Sequence, residues 1–276
     1  MGNDGTTMIR ANGIALRCRL EGAGDPLVLI HGVGGRLEAW DGVVSHLARR
    51  YRILRYDLRG HGESEKAAGP YDIADFVEDL NSLVAAAGLA RCHVAGFSLG
   101  GLVAQGFALG HAAKLDKLAL ISTVAGRSEA EKAAVLARLK IVEGGIPGDH
   151  FRRSIERWFT DEFRARNPAL IADYAARNMA NDPKCYAAAY GVLATTDFAD
   201  RLAEITAPTL VMTGEDDVGS NPRMARLMHE RIANSTLHIL PKLRHSILIE
   251  APETVARILG SFLSARPQPW GPGKRV

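Results

Sequence analysis

The sequence predicts an α/β protein with a mostly parallel central sheet flanked by helices. Short apolar runs alternate along the chain with longer segments whose apolar residues recur every three or four positions. One apolar run, at residues 92–95, leads into Gly96-Phe97-Ser98-Leu99-Gly100, and a segment rich in small residues follows it. This pattern is typical of a strand that turns sharply into a helix, which is a building unit of parallel sheets.

The strand and helix alternation stops between residues 125 and 200. There the pattern is helical and richer in arginine and aromatic residues. We interpret 125–200 as a helical cap inserted over the carboxyl edge of the sheet, so the core is expected at 1–124 and 201–265. Residues 266–276 contain three prolines and two glycines and are expected to form a flexible tail.

The elements before the cap follow from local patterns. Asn12-Gly13 tolerates the positive φ of a tight hairpin turn, and Asp72 is suited to cap a helix. A continuous apolar run, as at 26–30, is typical of a strand buried on both faces. The predicted elements are a hairpin at 8–20, strands at 26–30, 51–56, 92–95 and 118–122, and helices at 40–49, 72–87 and from Ser98 to residue 109.

The alternation returns after the cap. Apolar runs predict strands at 208–214 and 236–240, and helical spacing predicts helices at 223–232 and 253–263. In a parallel sheet the loops that follow the strands meet at one edge, where ligands bind. Candidate functional residues are therefore sought in the loops after these runs.

Composition excludes several classes of function. The chain has 276 residues, 47% hydrophobic and 24% charged, and its net charge of +3 is too small to favour nucleic acid or an anionic membrane as a partner. Residues 1–5 lack the features of a signal peptide, and no apolar run is long enough to cross a bilayer. Three scattered cysteines (Cys18, Cys92 and Cys185) are expected to be reduced. We expect a soluble, cytoplasmic protein; whether it forms a homo-oligomer stays open.

Ser98 is the candidate nucleophile because the sharp turn would expose its hydroxyl at the carboxyl edge of the sheet. Gly96 and Gly100 remove the Cβ atoms that would collide with the strand and the helix. A serine hydroxyl is a weak nucleophile at neutral pH and needs an imidazole to take its proton. The remainder of the site must therefore include a histidine.

His245 is the candidate base among nine histidines. It follows the last predicted strand and precedes the last helix, in a loop at the ligand-binding edge. His31 and His61, in glycine-flanked loops, are expected to be structural, and His93 and His238, inside strands, are expected in the core. The four others, His46, His111, His150 and His229, are expected at the surface.

Asp217 is the preferred candidate for the acid that orients His245. Asp216 and Asp217 both follow the 208–214 strand, and either could serve. The backbone N–H groups of Leu99, directly after Ser98, and of Val33, in the glycine-rich loop after residue 30, are the candidates for stabilising a developing oxyanion.

Two further features are interpreted as having no catalytic role. Asp57 and Arg59 lie in a glycine-rich loop and are expected to form a pair that fixes it. No His, Cys, Asp or Glu set has the spacing of metal ligands, and neither glycine-rich loop matches a phosphate cradle. We therefore predict neither a metal nor a cofactor.

Four motifs in this order resemble the α/β-hydrolase superfamily over nearly the whole chain. They are His31-Gly32-Val33-Gly34, Asp57-Leu58-Arg59-Gly60-His61-Gly62-Glu63-Ser64, Gly96-Phe97-Ser98-Leu99-Gly100-Gly101, and residues 214–217 followed by His245. The resemblance implies an α/β-hydrolase fold with a cap and a triad of Ser98, Asp217 and His245.

The predicted cap is similar to that of 3-oxoadipate enol-lactonases. The similarity lies in Arg157-Trp158-Phe159-Thr160, Asn167-Pro168-Ala169, Asn181-Asp182-Pro183 and Tyr186-Ala187-Ala188. It implies hydrolysis of a small lactone that bears a carboxylate, through an acyl-Ser98 intermediate. Trp158 and Phe159 are candidates for lining the substrate pocket, and Arg138, Lys140, Arg152 and Arg153 are candidates for binding a carboxylate.

The predicted function is therefore that of a serine hydrolase acting on a carboxylic ester or small lactone. A general carboxylesterase and a perhydrolase-like enzyme have the same triad and remain alternatives. A small-molecule receptor that uses a hydrolase pocket is a third alternative, and slow or single turnover would distinguish it from an enzyme.

Overall fold

Eight strands of the protein form one sheet in the order β1-β2-β4-β3-β5-β6-β7-β8. The computed structural model describes residues 5–145 and 149–265, so the tail predicted at 266–276 lies outside the described residues. The strands are β1 Thr6–Ala11, β2 Ile14–Glu21, β3 Asp25–Ile30, β4 Tyr51–Tyr56, β5 Cys92–Phe97, β6 Leu115–Ile121, β7 Thr209–Gly214 and β8 Ser235–Leu240. The first two strands pair antiparallel, β2 is antiparallel to β4, and the remaining pairs are parallel.

Helices cover both faces of this sheet. The α-helices of the described residues are α1 Asp41–Leu47, α2 Ile73–Ala86, α3 Leu99–Gly110, α4 Glu129–Gly144, α5 Asp149–Trp158, α6 Asp161–Arg166, α7 Pro168–Met179, α8 Pro183–Thr195, α9 Pro222–Arg231, α10 Ile247–Glu250 and α11 Pro252–Ser264. The α/β fold with a mostly parallel sheet, predicted from the alternating pattern, is confirmed. The short helix α10 was not predicted.

Alternation within the strands divides the core into two layers. Val28 and Val94 pack with α2 and α3 on one face, whereas Leu27 and Ala95 pack with α1 and α11 on the other. Successive side chains of a strand point to opposite faces, so a strand covered by helices on both sides must be apolar throughout. This requirement explains the continuous apolar runs in the sequence.

Two local predictions are confirmed by backbone geometry. Asn12 and Gly13 have φ of 47° and 80°, as the tight turn between β1 and β2 requires. The Asp72 side chain accepts a hydrogen bond from Ala74 N at 2.9 Å and caps α2. One prediction is wrong: His238 is exposed, because β8 is the edge strand of the sheet and side chains on it alternate toward solvent.

Five helices, α4 to α8, lie between β6 and β7, in the interval predicted to be the cap. Their buried cluster consists of Val135, Tyr186, Tyr190 and Ala194. We propose that 125–200 is the cap unit, with 1–124 and 201–265 as the core. No helix among the described residues is long and apolar enough to cross a membrane.

Candidate active site

Ser98 lies at the turn between β5 and α3 with φ of 54° and ψ of −116°. Positive φ is uncommon for a residue with a side chain and marks stored backbone strain. A Cβ at position 100 would lie 2.5 Å from the carbonyl oxygen of Ile30, and a Cβ at position 96 would collide with the Gly100 carbonyl. Glycine at both positions is therefore required for the turn.

Neighbouring strands hold this strained residue in place. Ser98 N donates to Ile121 O at 2.9 Å, and Thr123 Oγ1 donates to Ser98 O at 2.8 Å. Ile121 is the last residue of β6, and Thr123 follows it. The strand β6 pairs with β5, which leads to Ser98. Ser98 is 6% exposed, and it lines a cavity at the carboxyl edge of the sheet.

His245 lines the same cavity, in the loop after β8. Its Nδ1 lies 2.7 Å from Asp217 Oδ2, and its ring centroid lies 5.0 Å from that of Phe97, the residue before Ser98. A carboxylate at Nδ1 favours the tautomer that carries the proton on Nδ1 and leaves Nε2 free to accept one. The structure therefore brings the predicted nucleophile, base and acid together around one cavity.

The Asp217 carboxylate is buried and held by backbone donors. Gly219 N and Ser220 N each donate to Oδ1 at 2.9 Å. Burial acts to raise the pKa of Asp217, but the neighbouring His245 and the hydrogen bonds from His245, Ser220 and Gly219 outweigh it and lower that pKa below its ordinary value. The carboxylate therefore stays ionised beside His245 at neutral pH.

The structure decides between the two neighbouring aspartates. Asp216 is exposed, whereas Asp217 is 2% exposed and contacts His245. The turn after β7 is formed by Glu215 N and Asp216 N, which donate to Leu240 O at 2.8 Å and Leu243 O at 2.9 Å. These bonds join the Asp217 loop to the segment that leads to His245, so the preferred candidate, Asp217, is the one that reaches the histidine.

The loop after β3 is fixed by His31, whose ring is fully buried. Leu58 N donates to His31 Nε2 at 2.9 Å, and His31 Nδ1 lies 2.7 Å from Gly32 O. Both bonds are satisfied only by the neutral ring protonated on Nδ1. Burial lowers the pKa of His31 to about 4, so the ring is neutral at pH 7. The structural role predicted for His31 agrees with these contacts.

The candidate oxyanion donors, Val33 and Leu99, belong to two segments that adjoin Ser98. Val33 follows the loop fixed by His31 and lines the cavity. Leu99 is the first residue of α3, and the first N–H groups of a helix have no acceptor within the helix. The cap also contacts this loop, because Asn181 Nδ2 donates to Gly34 O at 3.1 Å.

The cavity has a volume of about 200 Å³ and lies between the sheet edge and the cap. Its apolar lining includes Phe97, Val124, Val135, Leu193 and Met224. A pocket that is mainly apolar with a few placed polar groups is typical of a small-molecule site. The arrangement can therefore hold an uncharged acyl group beside Ser98.

The cap adds two cationic side chains to this lining, Arg138 and Arg157. Arg157 Nη2 donates to Ser154 Oγ at 2.5 Å, and Arg138 Nε donates to Tyr190 Oη at 3.3 Å. Burial, and next the charge of Arg138, lower the pKa of Arg157. Within residues 5–145 and 151–265, no carboxylate forms an ion pair with either guanidinium. Two arginines that line one cavity and form no ion pair in that part of the chain are suited to bind an anion.

Of the other cap residues predicted to bind substrate, only Trp158 lines the cavity. The Trp158 ring lines the cavity with its centroid 6.4 Å from that of His245. Phe159 is buried against Phe163 and Tyr174, so it belongs to the interior of the cap. The side chains of Lys140, Arg152 and Arg153 are exposed and do not line the cavity.

Sequence reasoning missed Arg127 and did not single out Arg157. Arg127 lines the cavity but donates to Leu193 O at 2.7 Å and Thr196 O at 3.2 Å, so it ties the start of the cap to its end. The signal for Arg157 was its place directly before Trp158. An arginine on a helix is ordinarily solvated, so only the fold reveals that this one is half-buried.

The predicted pairing of Asp57 with Arg59 is wrong, although both residues are structural. Arg59 forms a buried ion pair with Asp79 of α2 at 2.6 Å. Asp57 instead accepts hydrogen bonds from Leu37 N at 2.7 Å and Glu63 N at 2.9 Å. The chain turns sharply after β4, so side chains two residues apart point to different neighbours.

In the described part of the chain, no group of three or more His, Cys, Asp or Glu side chains is arranged to hold a metal ion. The cysteines Cys18, Cys92 and Cys185 are all buried and free.

Known proteins share this fold and sequence pattern. The model of the alpha/beta hydrolase family matches residues 27–258. The (E)-2-((N-methylformamido)methylene)succinate hydrolase of Acinetobacter baylyi is 29% identical over 90% of this chain and 93% of that protein. The 3-oxoadipate enol-lactonase 2 of the same organism is 26% identical over 89% of this chain and 91% of that protein.

A solved structure of an enol-lactonase has the same fold as this chain. The enol-lactonase from Burkholderia xenovorans LB400 superimposes with a TM-score of 0.89 at 27% identity, and the match covers 94% of this chain and 100% of that chain. These matches confirm the predicted resemblance to α/β hydrolases and to enol-lactonases. They also confirm the prediction of an enzyme of the hydrolase class.

Proposed function

The chain belongs to the α/β-hydrolase family, and we propose that it hydrolyses a carboxylic ester or small lactone that bears a carboxylate, with Ser98 as the nucleophile. The observation that carries the proposal is the His245–Asp217 pair at 2.7 Å, lining the same cavity as the strained Ser98. A nucleophile, a base and an orienting acid around one reaction site are the parts that acyl transfer needs.

Acylation begins when Ser98 Oγ attacks the carbonyl carbon of the substrate and His245 Nε2 takes the hydroxyl proton. Asp217 stabilises the imidazolium that forms, since its low pKa keeps the carboxylate ionised. When the tetrahedral intermediate collapses, the C–O bond to the leaving oxygen breaks, and His245 gives that oxygen its proton. In a lactone the leaving oxygen stays tethered to the acyl group.

Deacylation uses the same groups in reverse. His245 takes a proton from water, which attacks the acyl carbon, and the Ser98 ester bond breaks as the serine regains its proton. During both steps the N–H groups of Val33 and Leu99 stabilise the negative oxygen. Removing one such donor from an acyl-transfer enzyme costs about 10²–10³ in kcat.

The carboxylate on the substrate is supported by Arg138 and Arg157. These arginines, on α4 and α5, line the cavity and form no ion pair within the described residues. Two relatives carry names built on dicarboxylates, a succinate and a 3-oxoadipate. A guanidinium binds a carboxylate with two parallel hydrogen bonds and so orients the ester bond toward Ser98.

A general carboxylesterase is the second candidate, and the apolar part of the lining favours it. To distinguish the two, we would compare kcat/KM for an enol-lactone that carries a carboxylate with kcat/KM for its methyl ester and for p-nitrophenyl acetate. A preference of tenfold or more for the carboxylate supports the proposed substrate class. Equal or faster turnover of the neutral substrates supports the general esterase.

Arg157→Gln tests the cationic subsite directly. A hydrogen bond to a charged group contributes about 1.5–3 kcal/mol, so kcat/KM for the carboxylated substrate should fall about 10- to 150-fold. Turnover of p-nitrophenyl acetate should change less than about twofold. Arg153→Gln, which removes an exposed cation from the same helix, is the matched control and should change neither. Equal losses on both substrates would contradict a carboxylate-binding role.

A further inference from the structure

The residue before His245 is hydrogen-bonded to the cap. Arg244 Nη1 donates to Glu156 O at 2.6 Å, to Phe159 O at 2.8 Å and to Asp161 Oδ1 at 2.9 Å. These acceptors span the junction between α5 and α6. The Arg244 guanidinium thus bonds to three residues of the cap, and it connects them to the loop that contains the proposed base, His245.

The residues after His245 contact the same junction. Ser246 N donates to Trp158 O at 2.9 Å. Glu250, at the end of α10, accepts hydrogen bonds from Thr160 N at 3.0 Å and from Thr160 Oγ1 at 2.6 Å. Both carboxylate oxygens are therefore used, and the half-buried Glu250 is fixed to the turn between α5 and α6.

We name this set of contacts the latch: Arg244, Ser246 and Glu250 on the core side, and residues 156–161 on the cap side. We propose that Arg244 and Glu250 are positioning residues that use the latch to set His245 relative to Trp158 and the cap. The inference rests on the proposed role of His245 as the base. It adds that the position of this base depends on the cap as well as on Asp217.

The physical reason is that His245 lies in a loop whose residues on both sides, Arg244 and Ser246, bond to the cap. Asp217 contacts the ring at Nδ1, the rings of Phe97 and Trp158 lie beside it, and the helix that follows, α10, has four residues. A displacement of about 1 Å in a catalytic group can cost about 10² in rate. Loop residues in such a position need partners from a neighbouring unit, and here the latch supplies them on both sides.

The latch also connects the base to the cavity wall. Trp158, whose carbonyl accepts from Ser246, lines the cavity, and Arg157 precedes it in α5. A substrate that contacts Arg157 and Trp158 is therefore connected to the His245 segment through the hydrogen bond between Ser246 and Trp158. Through this connection the cap can align the base when substrate is bound.

The experiment uses Glu250→Gln, Arg244→Gln and Thr160→Val in the full chain. Thr160→Val removes the hydroxyl donor, and Thr160→Ser restores it. Arg166→Gln is the matched control, because Arg166 lies on α6 in an exposed ion pair with Glu162 and outside the latch. The cap keeps its separate contact through Asn181 and Gly34 in every variant, so the variants are expected to fold.

Two readouts are combined. The first is kcat and KM on the best substrate. The latch variants should lose about tenfold in kcat, with KM changed less than about threefold. Thr160→Ser should have the kcat of the wild type. The second is Trp158 fluorescence against pH in a Ser98→Ala background. A protonated imidazole quenches a nearby indole, and the ring centroids are 6.4 Å apart. Subtracting a Trp158→Phe sample isolates this step.

In the latch variants the amplitude of the fluorescence step should become smaller, because Trp158 and His245 no longer keep their separation. Wild-type behaviour in both readouts overturns the proposal. A loss of kcat with an unchanged fluorescence step also overturns it. A changed fluorescence step with an unchanged kcat overturns it as well. If Ser98→Ala keeps full turnover, the proposed function fails, while the fluorescence readout still tests the latch.

Discussion

The carboxyl edge of the sheet and the helical cap face the same cavity but are built differently. At the sheet edge, Ser98 and Asp217 are held by backbone hydrogen bonds from neighbouring loops and by a core that is buried on both faces of the sheet. In the cap, the buried cluster consists of Val135, Tyr186, Tyr190 and Ala194. The edge is therefore suited to fix reacting groups, and the cap is suited to vary what they act on.

Two ion pairs also differ between the sheet edge and the cap, because one is buried and the other is exposed. The Arg59–Asp79 pair is buried under the sheet edge, with side chains 9% and 1% exposed. In the cap, the Arg177–Asp173 pair is exposed, and such pairs contribute about 0–1 kcal/mol. Losing one partner of a buried pair costs several times more. The comparison predicts that substitutions at the sheet edge abolish activity or stability, whereas substitutions of the cap residues that line the cavity change substrate preference.

The largest expected effect is on catalysis at the sheet edge. Asp217→Asn should lower kcat by about 10⁴, because an amide favours the wrong tautomer of His245 and cannot stabilise its cation. Asp216→Asn changes an exposed neighbour of the same type and should leave kcat within about twofold. Steady-state kinetics on one ester measures both. Similar losses in the two variants would contradict the assignment of Asp217.

The second effect is on stability and compares one glycine from each region. In Gly100→Ala the new Cβ would lie 2.5 Å from Ile30 O and 2.6 Å from His31 O, so we expect a loss of about 3 kcal/mol or more. In Gly191→Ala, on cap helix α8, the new Cβ has no described heavy atom within 4 Å apart from the adjoining residues and backbone of its own helix, so we expect a gain of about 0.5–1 kcal/mol. Urea unfolding of both variants measures the difference, and a gain in both would remove the contrast.

A third prediction concerns acid and the buried histidine His61. Burial lowers the pKa of His61 to about 3, against about 6.5 in the unfolded chain. The unfolded chain therefore binds a proton first, and stability falls as the pH drops from 6.5 toward 3. At pH 4.5 this histidine alone should cost about 3 kcal/mol relative to pH 8.

His61→Asn should remove that share of the acid dependence, whereas His46→Asn, at an exposed position, should not. The measurement is the free energy of unfolding at pH 8 and at pH 4.5 for the two variants and the wild type. The asparagine at position 61 can still donate to Arg59 O, which His61 Nδ1 approaches at 2.9 Å. An unchanged difference between the two pH values in His61→Asn would refute the prediction.

The smallest expected effect lies within the cap and separates neighbouring aromatic residues. Trp158→Leu should change the kcat/KM ratio between long and short esters by about three- to tenfold, because Trp158 lines the cavity. Phe159→Leu should leave that ratio unchanged and lower stability by about 1–2 kcal/mol, because Phe159 is 2% exposed and packs on Phe163. Ester series and thermal unfolding measure the two effects. The reverse pattern would show that the two roles are exchanged.

The fold was predictable because the signals that define it are local. Apolar runs, helical spacing and turn residues such as Asn12-Gly13 depend only on neighbouring positions. The glycines at positions 96 and 100 also identified the turn at Ser98, because no other residue fits the close approach. A strand at the sheet edge carries a weaker signal, which is why His238 was expected in the core but is exposed.

The site was predictable in part. The order Ser98, Asp217, His245 along the chain pointed to three residues that the structure gathers around one cavity. The partner of Arg59 was not predictable, because Asp79 lies on a helix twenty positions away and its choice depends on how α2 packs. Arg157 was overlooked for the same reason, since the burial of an arginine is a property of the fold.

The sequence by itself determined the α/β class, the turn at Ser98 and the candidate nucleophile and base. Tertiary structure alone decided that Asp217 rather than Asp216 meets His245, that Arg138 and Arg157 face the cavity, and that residues on both sides of His245 bond to the cap. The physical reason is the range of the interactions. Backbone conformation is set by neighbouring residues, whereas hydrogen bonds and burial between distant segments exist only once the chain has folded.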